Sequence, residues 1–308
     1  MSRSPATEIT SSAKSTTSNE MLRGLYSQMC LIRRVESKFL EYYSRGAFKG
    51  TVHTCLGQEA CAVGVMTAIN RDIDVVFSSH RAHGHFLAYG GPVEGLVAEV
   101  FGKPNGVCRG IGGTQHLHWN NMYTTGIQGG IVGPAIGAAL AEKLKKSNAL
   151  VAVFIGDGTM GQGTVYEAFN ISSLWRLPIL FVLENNKYAQ TTPVWMAHAG
   201  KLEDRAKPFG VKTVVANGNE AETVLSAARA SCDFIRANSA PLLLVLDTYR
   251  LGPHSKGDDL RPKEEIEARW EQDPIQLLGM KLSEAECGEI ESEVENVVSD
   301  VFERVTRS

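Results

Sequence analysis

Between residues 21 and 43 the apolar positions Met21, Leu22, Leu25, Met29, Ile32, Val35, Phe39 and Leu40 recur at helical spacing, and Asn19 stands where an N-cap is expected. Gly46 ends that pattern. A second helix, rich in small residues, is expected over 56–69, a short strand over 73–78, and a third helix over 93–101 after a histidine-rich stretch. Residues 102–133 are glycine-rich and show little periodicity, and a loop of that length inside a folded domain is usually functional. Beyond it the spacing predicts a helix over 134–146, a strand over 149–155, a helix over 162–176 and a strand over 178–183. A helix over 220–237, a strand over 241–247 and charged helices from residue 262 onward follow. This alternation predicts an α/β fold: a mainly parallel sheet with helices on both faces and a helical C-terminal segment.

The chain has 308 residues, 43% of them hydrophobic and 21% charged, enough to bury a large core. A net charge of -3 gives no electrostatic reason to expect nucleic acid or membrane partners. The most apolar run, 240–246, is too short to span a bilayer and reads as a buried strand. None of the six cysteines forms a C-x-x-C pair, which fits reduced thiols in a cytoplasm. Residues 1–20 are Ser/Thr-rich without an apolar block and read as a disordered tail. A transit peptide fits poorly with Glu8 and Glu20, and residues 21–308 form the domain.

The chemistry concentrates around Asp157. It lies in Gly156-Asp157-Gly158 directly after one predicted strand, and the next strand ends in Glu184-Asn185-Asn186. A right-handed βαβ crossover brings both strand ends to one edge of the sheet, so Asp157 and Asn186 face one small volume. Two oxygen donors there suit a hard divalent cation that keeps water and phosphate as its other ligands. Gly158 permits close backbone approach, and the following helix N-terminus offers N–H groups to an anion. The pair reads as a cation-bridged diphosphate site. The same residues spell G-x-G-x-x-G, with Glu184 in place for a ribose. An Asp between the glycines would repel a dinucleotide's pyrophosphate, however, and Asn185-Asn186 would have no task. A purely structural strand-to-helix turn is the remaining alternative.

Gly156-Asp157-Gly158 with Asn185-Asn186 is similar to the thiamine diphosphate signature. Gly57-Gln58-Glu59-Ala60, Ser79-His80-Arg81-Ala82-His83-Gly84, Gly112-Gly113-Thr114-Gln115-His116, Tyr249-Arg250 with His254-Ser255, and Asp273-Pro274-Ile275 then follow the order seen in α subunits of 2-oxo acid dehydrogenase E1 components. The chain resembles that family over roughly residues 21–280. The resemblance implies a thiamine diphosphate-binding domain of the diphosphate (PP) type. Asp157, Asn186 and the main-chain oxygen of Tyr188 would then ligate Mg2+, and Gly158 and Thr159 would contact the diphosphate. Arg81, His254 and His80 would also bind the diphosphate, Gly130 and Val132 would touch the aminopyrimidine, and His53 and His254 would serve catalysis at the substrate channel. It further implies a β subunit carrying the pyrimidine-binding half and its glutamate in an α2β2 assembly. A lipoyl acyltransferase would be the acyl acceptor, and pyruvate, a branched-chain 2-oxo acid or acetoin the substrate.

Two departures bear on these expectations. His80 stands where many relatives have Tyr, which predicts an imidazole contact to the diphosphate with a charge that varies near neutral pH. Gly252-Pro253 alters the loop before His254-Ser255, and Ser255 matches the place of a regulatory phosphoserine in some relatives. Half of a split transketolase-like acyl transferase is the runner-up among enzymes. A non-catalytic subunit would be expected to lose Asp157, Asn186 or Arg81. The histidines of 83–118 could be read as a metal cluster, but no Cys or carboxylate accompanies them at zinc-like spacing. Glu59, on a predicted helix, is expected to serve packing or a buried hydrogen bond at a subunit contact.

Overall fold

The computed structural model describes residues 18–255, 257 and 259–307, and within them the alternation of strands and helices builds one seven-stranded sheet. The chain opens with α1 (Asn19–Ser44), α2 (Glu59–Ala68), β1 (Val75–Ser78), α3 (His83–Ala88) and α4 (Val93–Val100). A small hairpin, β2 (His118–Trp119) and β3 (Met122–Thr124), precedes α5 (Val132–Lys145), β4 (Val151–Gly156), α6 (Gly163–Leu174) and β5 (Ile179–Asn185). A second hairpin, β6 (Tyr188–Ala189) and β7 (Thr192–Pro193), leads to α7 (Val194–Ala197), β8 (Lys212–Asn217), α8 (Ala221–Asn238) and β9 (Leu242–Asp247). The chain closes with α9 (Lys263–Trp270), α10 (Pro274–Gly279) and α11 (Glu284–Arg307).

The sheet order is β2-β3-β1-β4-β5-β9-β8, and every pair except β2 with β3 is parallel. Buried on both faces, β4 divides its side chains by pleat: Ala152 and Phe154 join one apolar cluster, Val151, Val153 and Ile155 the other. The first cluster is completed by α1, α2, α4, α8 and α11, the second by α5 and α6. Helices therefore cover both faces, as the alternation predicts. From β1 the sheet extends to β3 on one side, and from β4 to β5 on the other. The crevice beyond the carboxyl ends of β1 and β4 is thus the switch point at which such sheets bind ligands.

Several boundaries differ from the sequence reading. Ser18, not Asn19, caps α1 by accepting from the Met21 N–H, so residues 19 and 20 of the expected tail are helical; residues 1–17 of that tail lie outside the described residues. Helix α3 carries His83 and His85 of the histidine-rich stretch. The supposed loop 102–133 contains β2 and β3, with β3 pairing to β1 as part of the sheet. The edge strand β8 escaped notice because its sequence, Lys-Thr-Val-Val-Ala-Asn, is half-exposed and has no long apolar run. Glu59 makes its buried contacts inside the subunit: it pairs with Arg33 at 2.5 Å and accepts the Gly57 N–H at 2.9 Å, and Arg33 reaches on to Asp273.

Glu99 at the end of α4 organises the long segment after it. Fully buried, its carboxylate accepts backbone N–H groups from Cys108 (2.7 Å), Gly110 (2.8 Å), Gly112 (2.7 Å) and Gly113 (3.0 Å). These are donors that irregular backbone would otherwise leave unmet. Glu99→Gln puts an NH2 against two of them, and a loss of about 2–4 kcal/mol is expected. Urea unfolding of the variant measures this, and an unchanged midpoint would show that the loop does not depend on the carboxylate.

Candidate active site

Four parallel strands deliver their following segments to one edge. Ser79-His80-Arg81 leaves β1, Asp157-Gly158-Thr159 leaves β4, Asn186-Lys187-Tyr188 leaves β5, and the segment from Thr248 to His254 leaves β9. Together with His53, Gln58, Gln115 and Gln128 they line a pocket of about 370 Å³. His53, His80, Arg81, Asp157, Gly158, Thr159, Asn186, Tyr188 and His254 are brought together there, as the sequence reading expected. Gly130 and Val132 are not among the lining residues: Gly130 is exposed and Val132 is the buried first residue of α5.

The strand register places Gly156 beside Glu184, so Asp157 and Asn186 project from neighbouring strand ends. Asp157 Oδ1 accepts the Gly158 N–H at 2.7 Å, while Oδ2 is buried with no partner. Burial pushes the Asp157 carboxyl up to about 6; the Gly158 N–H, Arg250 and Lys187 pull the other way without cancelling it. Asn186 is anchored by a bond from its Nδ2 to Gln58 Oε1 (3.2 Å), and its Oδ1 accepts the Tyr188 N–H (3.2 Å). A Cβ on Gly158 would meet the Ala189 Cβ at 2.7 Å, so glycine there serves close approach of the β6 hairpin. The helix N-terminus does not follow immediately: a 3-10 turn, Thr159–Gly161, intervenes before α6. His198, outside every motif, holds the Asp157 carbonyl at 2.8 Å; nothing in the sequence marks it for that role.

Opposite the carboxylate lie cations and imidazoles. Arg81 is buried and donates to the Thr54 carbonyl (2.5 Å) and to His254 Nδ1 (3.3 Å). Arg250, which motif reading left without a role, is 1% exposed and donates to the carbonyls of Gly252 and Gln190. Burial lowers both guanidinium pKa values, that of Arg250 to about 9, with Arg81 and Arg261 adding repulsion. His53 meets His80 and His254 in T-shaped contacts, with ring centroids 4.7 and 4.9 Å apart, and the rings of His80 and His254 are tilted, 5.6 Å apart. The expectation of an imidazole whose charge varies near neutrality is corrected here. Burial, followed by the fields of Arg81, His53, His254 and Arg250, takes His80 down to about 2, so the ring is neutral.

The other histidines have separate tasks. His83 bridges Glu36 (3.0 Å) and the Thr114 carbonyl (3.0 Å), and His85 bridges Ser78 (2.8 Å) and Glu184 (3.3 Å). His118 stacks on Tyr123. Glu36 also accepts the Cys55 N–H at 3.0 Å, which secures the segment carrying His53. Of the polar lining that motif reading passed over, Gln115 contacts His53 Nδ1 at 3.2 Å and Gln128 contacts His80 Nδ1.

The family model for the dehydrogenase E1 component matches residues 27–308. The chain is 35% identical over 294 residues to a protein of Zymomonas mobilis named pyruvate dehydrogenase E1 component subunit alpha, covering 93% of this chain and 82% of the relative. It is 37% identical over 290 residues to the alpha subunit of acetoin:2,6-dichlorophenolindophenol oxidoreductase of Bacillus subtilis, covering 91% and 86%. A testis-specific mitochondrial pyruvate dehydrogenase E1 alpha subunit of the rat is 35% identical over 285 residues, covering 91% and 72%.

The raised pKa of Asp157 has a consequence for stability without a cation. The folded carboxyl takes up its proton at higher pH than the unfolded one, so between about pH 4 and about pH 6 the folded state binds more protons and stability falls as pH rises. Above that window the ionised group costs about 2–3 kcal/mol. Asp157→Asn keeps an acceptor for the Gly158 N–H and removes the charge. The cation-free variant is expected to exceed wild type by about 1–3 kcal/mol near about pH 8, with the gain fading towards about pH 4. Urea unfolding with a chelator present checks this; a variant less stable at the higher pH would contradict it.

Proposed function

Because this chain belongs to the dehydrogenase E1 component family, we propose that its pocket is the diphosphate-binding half of a thiamine diphosphate site that Mg2+ completes, in the α subunit of a 2-oxo acid dehydrogenase. The observation that carries this is the buried, unpartnered Oδ2 of Asp157 beside Asn186. A hard cation taking oxygens from Asp157, Asn186 and the Tyr188 main chain would satisfy that atom and offset the burial of its charge.

Bound thiamine diphosphate supplies the carbon nucleophile and the electron sink for decarboxylation. This chain's residues do the rest. Arg81 and Arg250, in which burial outweighs the pull of the acidic groups near them, would hold anionic oxygens, and Gly158 and Thr159 would hold the diphosphate through their backbone. His53 and His254 would hold or deliver a proton at the substrate oxygen, His53 being fixed by Gln115. The substrate is a 2-oxo acid such as pyruvate, or acetoin, and the acyl group passes to a lipoyl acyltransferase.

A β subunit would bring the pyrimidine half and its glutamate, in an α2β2 assembly. Exposed Ile111, Ile127, Leu144, Trp195, Met196 and Leu260 support a partner surface. So do Gly133 and Gly137 on α5, where an added Cβ would meet open space; packing inside the subunit does not explain them. No helix among the described residues is long and apolar enough to cross a membrane, and we place the assembly in the cytoplasm.

Asp157→Ala and Asn186→Ala are each expected to weaken Mg2+-dependent thiamine diphosphate binding by about 100-fold or more without unfolding the chain. Calorimetric titration of the assembled enzyme tests this, and unchanged affinity in both variants would sink the assignment. The chain alone should show no decarboxylase turnover and should gain it on co-expression with a β subunit; full activity from the purified single chain would refute a divided site.

A further inference from the structure

His53, His80 and His254 bring one ring nitrogen each to within 4.8 Å of one another, and three imidazoles first suggest zinc. Their surroundings argue otherwise. Among the described residues, the charged groups acting most strongly on His80 are Arg81, His53, His254 and Arg250, none of them a carboxylate. Arg81 can only donate, so His254 Nδ1 offers it a lone pair rather than offering one to a metal. A dication would sit against two guanidinium groups, whereas an anion would gain from both.

The hydrogen bonds also fix where His80 carries its proton. The Thr159 hydroxyl donates to Gln128 Oε1 at 3.0 Å, and the carboxamide nitrogen faces His80 Nδ1. An amide N–H can only donate, so Nδ1 accepts and the proton of the neutral ring sits on Nε2. His80 as a residue is half-buried, but its Nε2 is buried and has no partner. A buried N–H without an acceptor, in a pocket lined by guanidinium groups, points at a missing anionic oxygen.

We propose that Gln128 is a positioning residue: tied to Thr159, it holds His80 in the Nε2–H tautomer as a neutral donor to an anionic oxygen of the bound diphosphate or of the substrate carboxylate. This rests on the pocket being the diphosphate half of an E1 site. It goes beyond that reading in giving Gln128 a task and in fixing the protonation state of His80.

The assembled enzyme tests it through Gln128→Glu. A carboxylate at 128 can only accept, so it draws the proton to Nδ1 and leaves Nε2 as a lone pair facing the anion. Protonation of the ring restores the donor at lower pH, and the new carboxylate together with the bound anion raises the ring's pKa from the low value that burial sets in wild type. Thiamine diphosphate Kd and pyruvate KM are measured with Mg2+ between about pH 6 and about pH 8.5 for wild type, Gln128→Glu and the double variant Gln128→Glu/His80→Tyr. Arg81, Arg250, His53 and His254 are common to all three and Glu at 128 to both variants, so comparing the two ratios to wild type isolates His80. That ratio is expected to worsen about tenfold towards the higher pH in Gln128→Glu and to stay flat in the double variant.

A change in Kd assigns the oxygen to the diphosphate, and a change in KM at constant Kd assigns it to the substrate. A ratio that does not vary with pH in either quantity, or that varies equally without His80, overturns the proposal. Wild type failing to bind thiamine diphosphate would instead remove the reading beneath it. Ring 15N shifts of His80 in wild type, identified by their loss in His80→Tyr, should show Nδ1 bare and Nε2 protonated. A protonated Nδ1, or Zn2+ binding that depends on His80, would also overturn it.

Discussion

Parallel pairing of β1, β4, β5 and β9 forces four chain exits onto one edge of the sheet, and the placement of His80, Arg81, Asp157, Asn186 and Arg250 follows from that constraint. The segments at those exits are irregular, so no ladder of backbone bonds holds them. Side chains from the other segments do. Gln58 anchors Asn186, the Thr248 hydroxyl donates to the Gly57 carbonyl, and Arg81 reaches the Thr54 carbonyl. Tyr188 and Tyr249 both donate to Glu265, which ties the segment after β5 and the segment after β9 to helix α9. Arg261 lies over both tyrosine rings and donates to the carbonyls of Arg250 and Gly252. Blocks that look independent along the sequence are one interlocked shell.

The distribution of buried charge separates scaffold from site. Behind the pocket Glu36, Glu59 and Glu99 each take two or more donors, so their burial is compensated. Inside it the balance is left open. Asp157 keeps one oxygen unpartnered and a raised pKa, while Arg81 and Arg250 are desolvated guanidinium groups with lowered ones. A buried carboxylate with one unpartnered oxygen and two desolvated guanidinium groups in the same pocket are what the proposed cation and diphosphate would meet. A ligand of that polarity relieves both, so it stabilises the folded chain as it binds.

The sequence carried the β4–α6–β5 unit clearly because long apolar strands and a glycine turn announce it. Asp157 and Asn186 were legible from their place at adjacent strand ends alone. The hairpin β2–β3 and the edge strand β8 were not, because short or half-exposed strands have no period long enough to read. Glu99 was equally silent: a carboxylate inside an apolar helix looks like a surface residue until four backbone donors from a later segment are seen to converge on it. Arg250, Gln115 and Gln128 lay within or beside motif blocks, yet what they touch depends on contacts across the fold. His198 had no signal of any kind. Gly130 and Val132, carried over by resemblance, fall outside the pocket that this chain forms.

His80 shows why a departure from a family pattern is best judged by chemistry. Where the pattern has tyrosine, a phenol offers one neutral hydrogen-bond donor. An imidazolium in its place would add a positive charge beside Arg81 and within the field of Arg250, and burial there disfavours it. A neutral imidazole keeps the donor without adding charge, so the replacement is conservative in function. It brings one new requirement, since a phenol has a single polar atom and an imidazole has two interchangeable ones. The second nitrogen must be occupied by a donor for the first to keep its proton. In this chain Gln128, whose Oε1 accepts from Thr159, contacts that second nitrogen.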